Sequence, residues 1–196
     1  ITIGENMPTA YCISTNAHAL ARYAALCQEQ GLVPIVEPEI LMDGTHTIDE
    51  SYQLTTETLY NVFYELVSQG VELEGIVLKP NMVLSGYDCS DQASVEQVAE
   101  MTVDCFLNTV PAVVPGIAFL SGGQSDELAT AHLNAMNQID GTPWNLTFSY
   151  GRALQAPALK AWSGKDENIS NAQEAFMNRA KFNSLATKGE YSKDME

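Results

Sequence analysis

Short β-branched runs alternate with helix-periodic segments along this whole chain, and that order restricts the fold more than any other feature. Ile1 to Gly4 reads as the end of a strand. A helix is predicted over Ala17–Gln30, with Gly31 as its C-cap, followed by a strand over Val33–Val36. After the turn signal Asp43-Gly44 a long helix runs from about Ile48 to Gln69, stopped at Gly70. The apolar run around residues 76–83 is the next strand. Ser94, with Gln97 three residues on, caps a helix reaching Leu107. Val113–Leu120 is a strand, and Ser125 caps a helix reaching about Gln138. Leu146–Tyr150 is the last strand. A final helical region opens at Gly151-Arg152, is broken by Pro157 and Gly164, and resumes over Ile169–Lys188. Strands joined through helices lie parallel. An open doubly wound sheet and a (β/α)8 barrel both satisfy the order, and both gather ligand chemistry at the carboxyl ends of their strands. A complete barrel takes roughly 250 residues. Four units and a strand end, in a chain of 196 residues, are about half of one.

Composition narrows the partners. The chain carries 25 acidic against 9 basic residues, a net charge of −16. Nucleic acid, which requires a basic stripe, is excluded, and so is docking on anionic lipid. No apolar run approaches the ~20 residues of a membrane helix, and no signal-peptide pattern is present. The cysteines Cys12, Cys27, Cys89 and Cys105 form no CxxC pair, and His18, His46 and His132 are scattered, so no metal site is expected. Reduced thiols in a cytoplasmic protein are the expectation.

Lys79 stands apart. Residues 1–151 hold nineteen Asp and Glu but only two basic side chains, Arg22 and Lys79. Lys79 interrupts the apolar run Gly75-Ile76-Val77-Leu78-Lys79-Pro80-Asn81-Met82-Val83. A buried ammonium is costly unless it is paired or loses its proton. An amine so placed is a nucleophile suited to Schiff-base chemistry, whereas on spacing alone a lysine snorkelling from a strand end is the better reading. Glu37 and Glu39 flank Pro38 and share one face of their strand. Ser121-Gly122-Gly123 precedes a capped helix, and Gly151-Arg152 opens another. Such loops present N–H groups and helix N-termini to an anion.

Leu78-Lys79-Pro80-Asn81-Met82, preceded by Leu73-Glu74-Gly75, resembles the Schiff-base strand of class I fructose-bisphosphate aldolases. Val33-Pro34-Ile35-Val36-Glu37-Pro38-Glu39, Phe119-Leu120-Ser121-Gly122-Gly123-Gln124, Thr147-Phe148-Ser149-Tyr150-Gly151-Arg152-Ala153-Leu154-Gln155 and Leu159-Lys160-Ala161-Trp162 are similar to that family's segments in the same order. The resemblance implies an α/β fold, a (β/α)8 TIM barrel. Residues 1–196 would form a single domain running from roughly the end of strand 4 through strand 8 and the C-terminal helices. It implies metal-independent cleavage of fructose 1,6-bisphosphate through an imine on Lys79. Glu37 would be the acid–base group, with Glu39 beside it, and Ser121, Gly122, Gly151 and Arg152 would bind phosphate. No cofactor is implied, and the expected assembly is a homo-oligomer, tetrameric by resemblance. The family's other catalytic groups, an aspartate and lysines, fall ahead of Ile1. These residues alone are therefore not expected to make a fully active monomer. Two alternatives are a non-catalytic half-barrel binding sugar phosphates or a partner, and another Schiff-base lyase of transaldolase type.

Overall fold

The computed structural model describes residues 1–196. Four strands, β1 (Ile35–Val36), β2 (Val77–Leu78), β3 (Gly116–Phe119) and β4 (Asn145–Phe148), form one sheet in the order β1-β2-β3-β4. Every pair is parallel. The crossovers are α1 (Ala10–Glu29) ahead of β1, then α2 (Ile48–Ser68), α3 (Val95–Thr109) and α4 (Asp126–Met136). They are followed by α5 (Arg152–Trp162) and α6 (Ile169–Ala186). The strand order steps one way across all four strands, with no switch point among them. A doubly wound sheet reverses direction at a switch point, whereas sequential parallel strands step one way and keep right-handed crossovers on one face. That winding is the barrel's.

Register shows which residues serve the core. Val36, Leu78, Ile117 and Leu146 lie side by side across the four strands. All four are buried beneath the helices. Phe119 stacks on Phe106 of α3 with ring centroids 5.6 Å apart. Each such apolar side chain contributes about 1.5–3 kcal/mol by leaving water. The opposite sheet face carries Ile35, Val77, Gly116 and Asn145, of which Ile35 and Asn145 are exposed.

Local chemistry accounts for most helix ends. Ser94 and Gln97 form a reciprocal capping box on α3, and Thr47 with Glu50 forms another on α2. Gly31 and Gly70 adopt φ of +69° and +72° just past α1 and α2, a conformation open to glycine. Three expectations are corrected. The first helix begins at Ala10, not Ala17. Thr9 caps it by accepting from the Cys12 N–H, and the polar stretch joins because Ile13 and Ala17 continue the buried face of Ala21 and Ala24, while Thr15 and Asn16 bond to the Tyr11 and Cys12 carbonyls at 2.8 Å each. Residues 1–4 form no strand. Only Ile1 makes ladder-like bonds, donating to the Glu39 carbonyl at 2.8 Å and accepting from the Leu41 N–H at 2.8 Å, while Gly4 folds back on Met7. Pro157 does not break the last helical region. It lies inside α5, which packs along α6, and the break falls at Ser163 and Gly164, both with positive φ.

Arg179 of α6 secures the helix behind the β3 loop. It is buried, donates to the Asp126 carbonyl at 2.9 Å and to Thr130 Oγ1, and pairs with Glu196.

Candidate active site

The parallel register carries Glu37 and Lys79 to adjacent positions. Val36 pairs with Leu78, and the Lys79 N–H donates to the Val36 carbonyl at 2.7 Å. The next residue on each strand therefore projects from the same face. There Lys79 Nζ meets Glu37 Oε1 at 2.7 Å. The lysine side chain retains 20% of its surface and the glutamate 45%, so the pair lies at a rim rather than in the core. Pairing, the first of the two ways to place an ammonium in an apolar strand, is realised here. On the other side of Lys79 the register brings Ala118 of β3, then Thr147 of β4. Glu39 is carried to the same strand mouth but makes no ion pair with Lys79 within 4.0 Å.

Asn81 stabilises the bend beyond Lys79. It is buried, accepts from the Ile40 N–H at 2.9 Å, and donates to Thr55 Oγ1 and the Met82 carbonyl. The segments after β1 and β2 are thus joined just past the two charged residues.

The loops after β3 and β4 come together at the same end of the sheet. Gly122 and Gly123 have φ of +59° and +94°, a path that suits two glycines. The main-chain N–H groups of Ser121, Gly122, Gly123 and Gly151 donate to no group in the protein. Gly151 is the N-cap residue of α5 and Ser125 that of α4. A Cβ built on Gly123 would stand 3.4 Å from Arg152 Nη2, which places the guanidinium against the Ser121–Gly123 turn. Free consecutive N–H groups, two helix N-termini and one exposed guanidinium form a concavity suited to an anion. Ser121, Gly122, Gly151 and Arg152 are therefore brought together, while Lys79 and Glu37 form a second group at the neighbouring strand ends.

The chain matches a family model for fructose-bisphosphate aldolase class-I, described as glycolytic, over residues 1–196. This chain belongs to the class I fructose-bisphosphate aldolase family. It is 57% identical over 192 residues to a probable fructose-bisphosphate aldolase class 1 of Xylella fastidiosa, covering 97% of this chain and 58% of that protein. Fructose-bisphosphate aldolase B of Gallus gallus is 54% identical, with 97% of this chain and 53% of the relative covered. A solved Plasmodium falciparum fructose-bisphosphate aldolase superposes with a TM-score of 0.96 at 49% identity, over 97% of this chain and 56% of that one. The chain thus spans about half the length of the aldolases it matches. The barrel fold expected from its sequence agrees with that structural likeness.

Three polar residues of this aldolase segment escaped the sequence reading. Tyr87, after β2, donates its hydroxyl to the Gly122 carbonyl at 2.7 Å. Burial raises its pKa; the Arg152 guanidinium opposes this, while Asp43 and Glu39 add to it. Gln124 donates to the Ser121 carbonyl at 3.1 Å, and its Oε1 lies 2.6 Å from His132 Nδ1 on α4. Since that oxygen only accepts, Nδ1 carries the proton. Burial lowers the His132 pKa to about 4, with the Glu96 carboxylate opposing. A serine, glycine or tyrosine after a strand is a weak signal, and a histidine inside a helix is weaker still.

Proposed function

We propose that these residues carry the imine-forming and one phosphate-binding part of a fructose-bisphosphate aldolase active site. The observation that carries this reading is the Lys79–Glu37 pair at 2.7 Å, set at the same end of the sheet as the free N–H groups of loops 121–123 and 151–152. Lys79, Glu37 and Glu39 are the proposed catalytic group, and Ser121, Gly122, Gly151 and Arg152 the phosphate ligands.

Glu37 takes a proton from the ammonium, and the free Nζ lone pair attacks the ketone carbon C2 of fructose 1,6-bisphosphate. The resulting carbinolamine loses its hydroxyl as water, with Glu37 returning the proton. Glu39, at the same mouth, adds negative charge that favours the iminium. The protonated imine is the electron sink. When the C3–C4 bond breaks, its electrons move into the iminium to give a neutral enamine, and the C4 hydroxyl becomes the aldehyde of glyceraldehyde 3-phosphate. That hydroxyl must lose its proton to a base. Protonation of the enamine at C3 and hydrolysis of the imine release dihydroxyacetone phosphate. An iminium provides the electrophile that a metal would otherwise provide, so the scheme runs without one. Binding the phosphate in the glycine loops holds C2 against Nζ, which reduces the entropy cost of the attack.

The remaining expectations follow as part of the proposal: one domain over residues 1–196, a cytoplasmic enzyme, and a homo-oligomer, tetrameric in form. A curated relative from Arabidopsis thaliana, 53% identical, is a cytosolic aldolase by name. No helix is long and apolar enough to cross a membrane.

The test is borohydride reduction with dihydroxyacetone phosphate on the complete polypeptide that carries these residues, then peptide mass mapping. The adduct is expected on Lys79. An adduct on Lys160 or Lys165 with Lys79 unmodified would refute the assignment. Lys79→Arg should abolish turnover, since a guanidinium stays protonated.

A further inference from the structure

Tyr87 reaches three of the loops that build the strand mouths, and neither imine formation nor charge pairing uses it. Its own segment is pinned to the loop after β1. Gly86 N–H donates to the His46 carbonyl at 2.8 Å, Tyr87 N–H to Met42 at 2.9 Å and Asp88 N–H to Gly44 at 2.9 Å. From this fixed base the phenol crosses to the loop after β3, where its hydroxyl donates to the Gly122 carbonyl at 2.7 Å. A Cβ built on Gly123 would lie 3.3 Å from the Tyr87 hydroxyl and 3.4 Å from Arg152 Nη2, so phenol and guanidinium flank the same glycine.

The peptide that Tyr87 holds lies between two residues without side chains. Gly122 and Gly123 both have positive φ, and neither has a Cβ to resist rotation of the plane between them. In a trans peptide the carbonyl and the following N–H point in opposite directions. Rotation would therefore turn the Gly122 oxygen to where the Gly123 N–H now points, exchanging a donor for an acceptor. Towards an anion that exchange converts attraction into repulsion. Breaking the Tyr87 bond is the cost of the rotation.

We propose that Tyr87 is a positioning residue for phosphate binding: its hydroxyl locks the Gly122–Gly123 peptide with the Gly123 N–H free for a phosphoryl oxygen. The same bond joins the loop that follows the Lys79 strand to the phosphate loop. The inference rests on the reading of loops 121–123 and 151–152 as a phosphate site. Tyr87 acts through Gly122 and takes no part in proton transfer.

Tyr87→Phe keeps the ring and removes the hydroxyl. In the complete enzyme KM for fructose 1,6-bisphosphate should rise about five- to tenfold with kcat within about twofold, the size of one hydrogen bond made in ground and transition state alike. The melting midpoint should stay within about 2 °C, since a partly exposed hydroxyl is lost without a cavity. Inorganic phosphate, titrated against the amide resonances of Gly122 and Gly123, should bind more weakly in the variant by the same factor. Wild-type amides that do not respond to phosphate remove the phosphate site itself, and the inference with it. Amides that respond at equal phosphate concentration in both proteins overturn the role of Tyr87 alone. A fall in kcat at unchanged KM also overturns it.

Discussion

Acidification should act on this fold through His132. The imidazole is buried on α4, its Nδ1–H engaged by Gln124 Oε1 at 2.6 Å. Burial moves its pKa from the ordinary 6.5 down to about 4, despite the Glu96 carboxylate. In the unfolded chain the ring takes up a proton as pH falls through 6.5, whereas the folded ring stays neutral until about 4. The unfolded state therefore binds more protons across that window, and stability falls with pH there. His132 contributes its full stabilisation above about pH 6.5 and loses it progressively toward pH 4. A difference of one bound proton between the two states changes stability by about 1.36 kcal/mol for each step of one in pH, so the loss between pH 7 and pH 4.5 comes to about 2 kcal/mol. His46 is also buried, both ring nitrogens lack partners, and burial lowers its pKa too, so its effect adds in the same direction. His132→Asn isolates one group. The amide nitrogen falls near the position of Nδ1 and does not titrate. Urea denaturation at pH 7 and pH 4.5 should show wild type losing about 2 kcal/mol more than the variant. Equal losses in both proteins, or a His132 resonance titrating near 6.5, would refute the reasoning.

Arg152→Ala should weaken binding of phosphorylated ligands by about 1.5–3 kcal/mol, the range for a charged hydrogen bond. Calorimetry with fructose 1-phosphate against unphosphorylated fructose checks it, and equal losses for both would mark Arg152 as structural. Gly86→Ala places a Cβ 2.3 Å from the Gly44 carbonyl oxygen and 2.8 Å from its carbon, both backbone. The loop must move, so a destabilisation of about 2–3 kcal/mol in urea denaturation is expected. An unchanged midpoint would show that residues 42–46 yield freely.

Local signals in the chain determined the elements, because caps, glycine stops and apolar periods act within a turn or two of helix. Ser94 with Gln97, Ser125, Gly31 and Gly70 each mark a boundary that the structure keeps. Lys79 in its apolar strand and the glycines after β3 were visible for the same reason: an anomalous residue type stands out against its neighbours. Where a local signal was ambiguous, packing decided. Burial of Ile13 with Ala17, Ala21 and Ala24 carries the polar Thr15 and Asn16 into α1, and Pro157 lies inside α5, which packs along α6. The family's ordered motifs pointed to a barrel, but pattern alone left the open sheet possible, since strand order is a matter of which strands pair. Only the sequential β1-β2-β3-β4 order shows a winding in one direction. Glu37 and Lys79 belong to different strands, and their contact follows from the parallel register of β1 and β2. The Tyr87 hydroxyl finds a carbonyl 35 residues away. Such partners are chosen by the meeting of loops at one end of the sheet, a geometry that exists only once the strands are paired and the helices have closed over the other face.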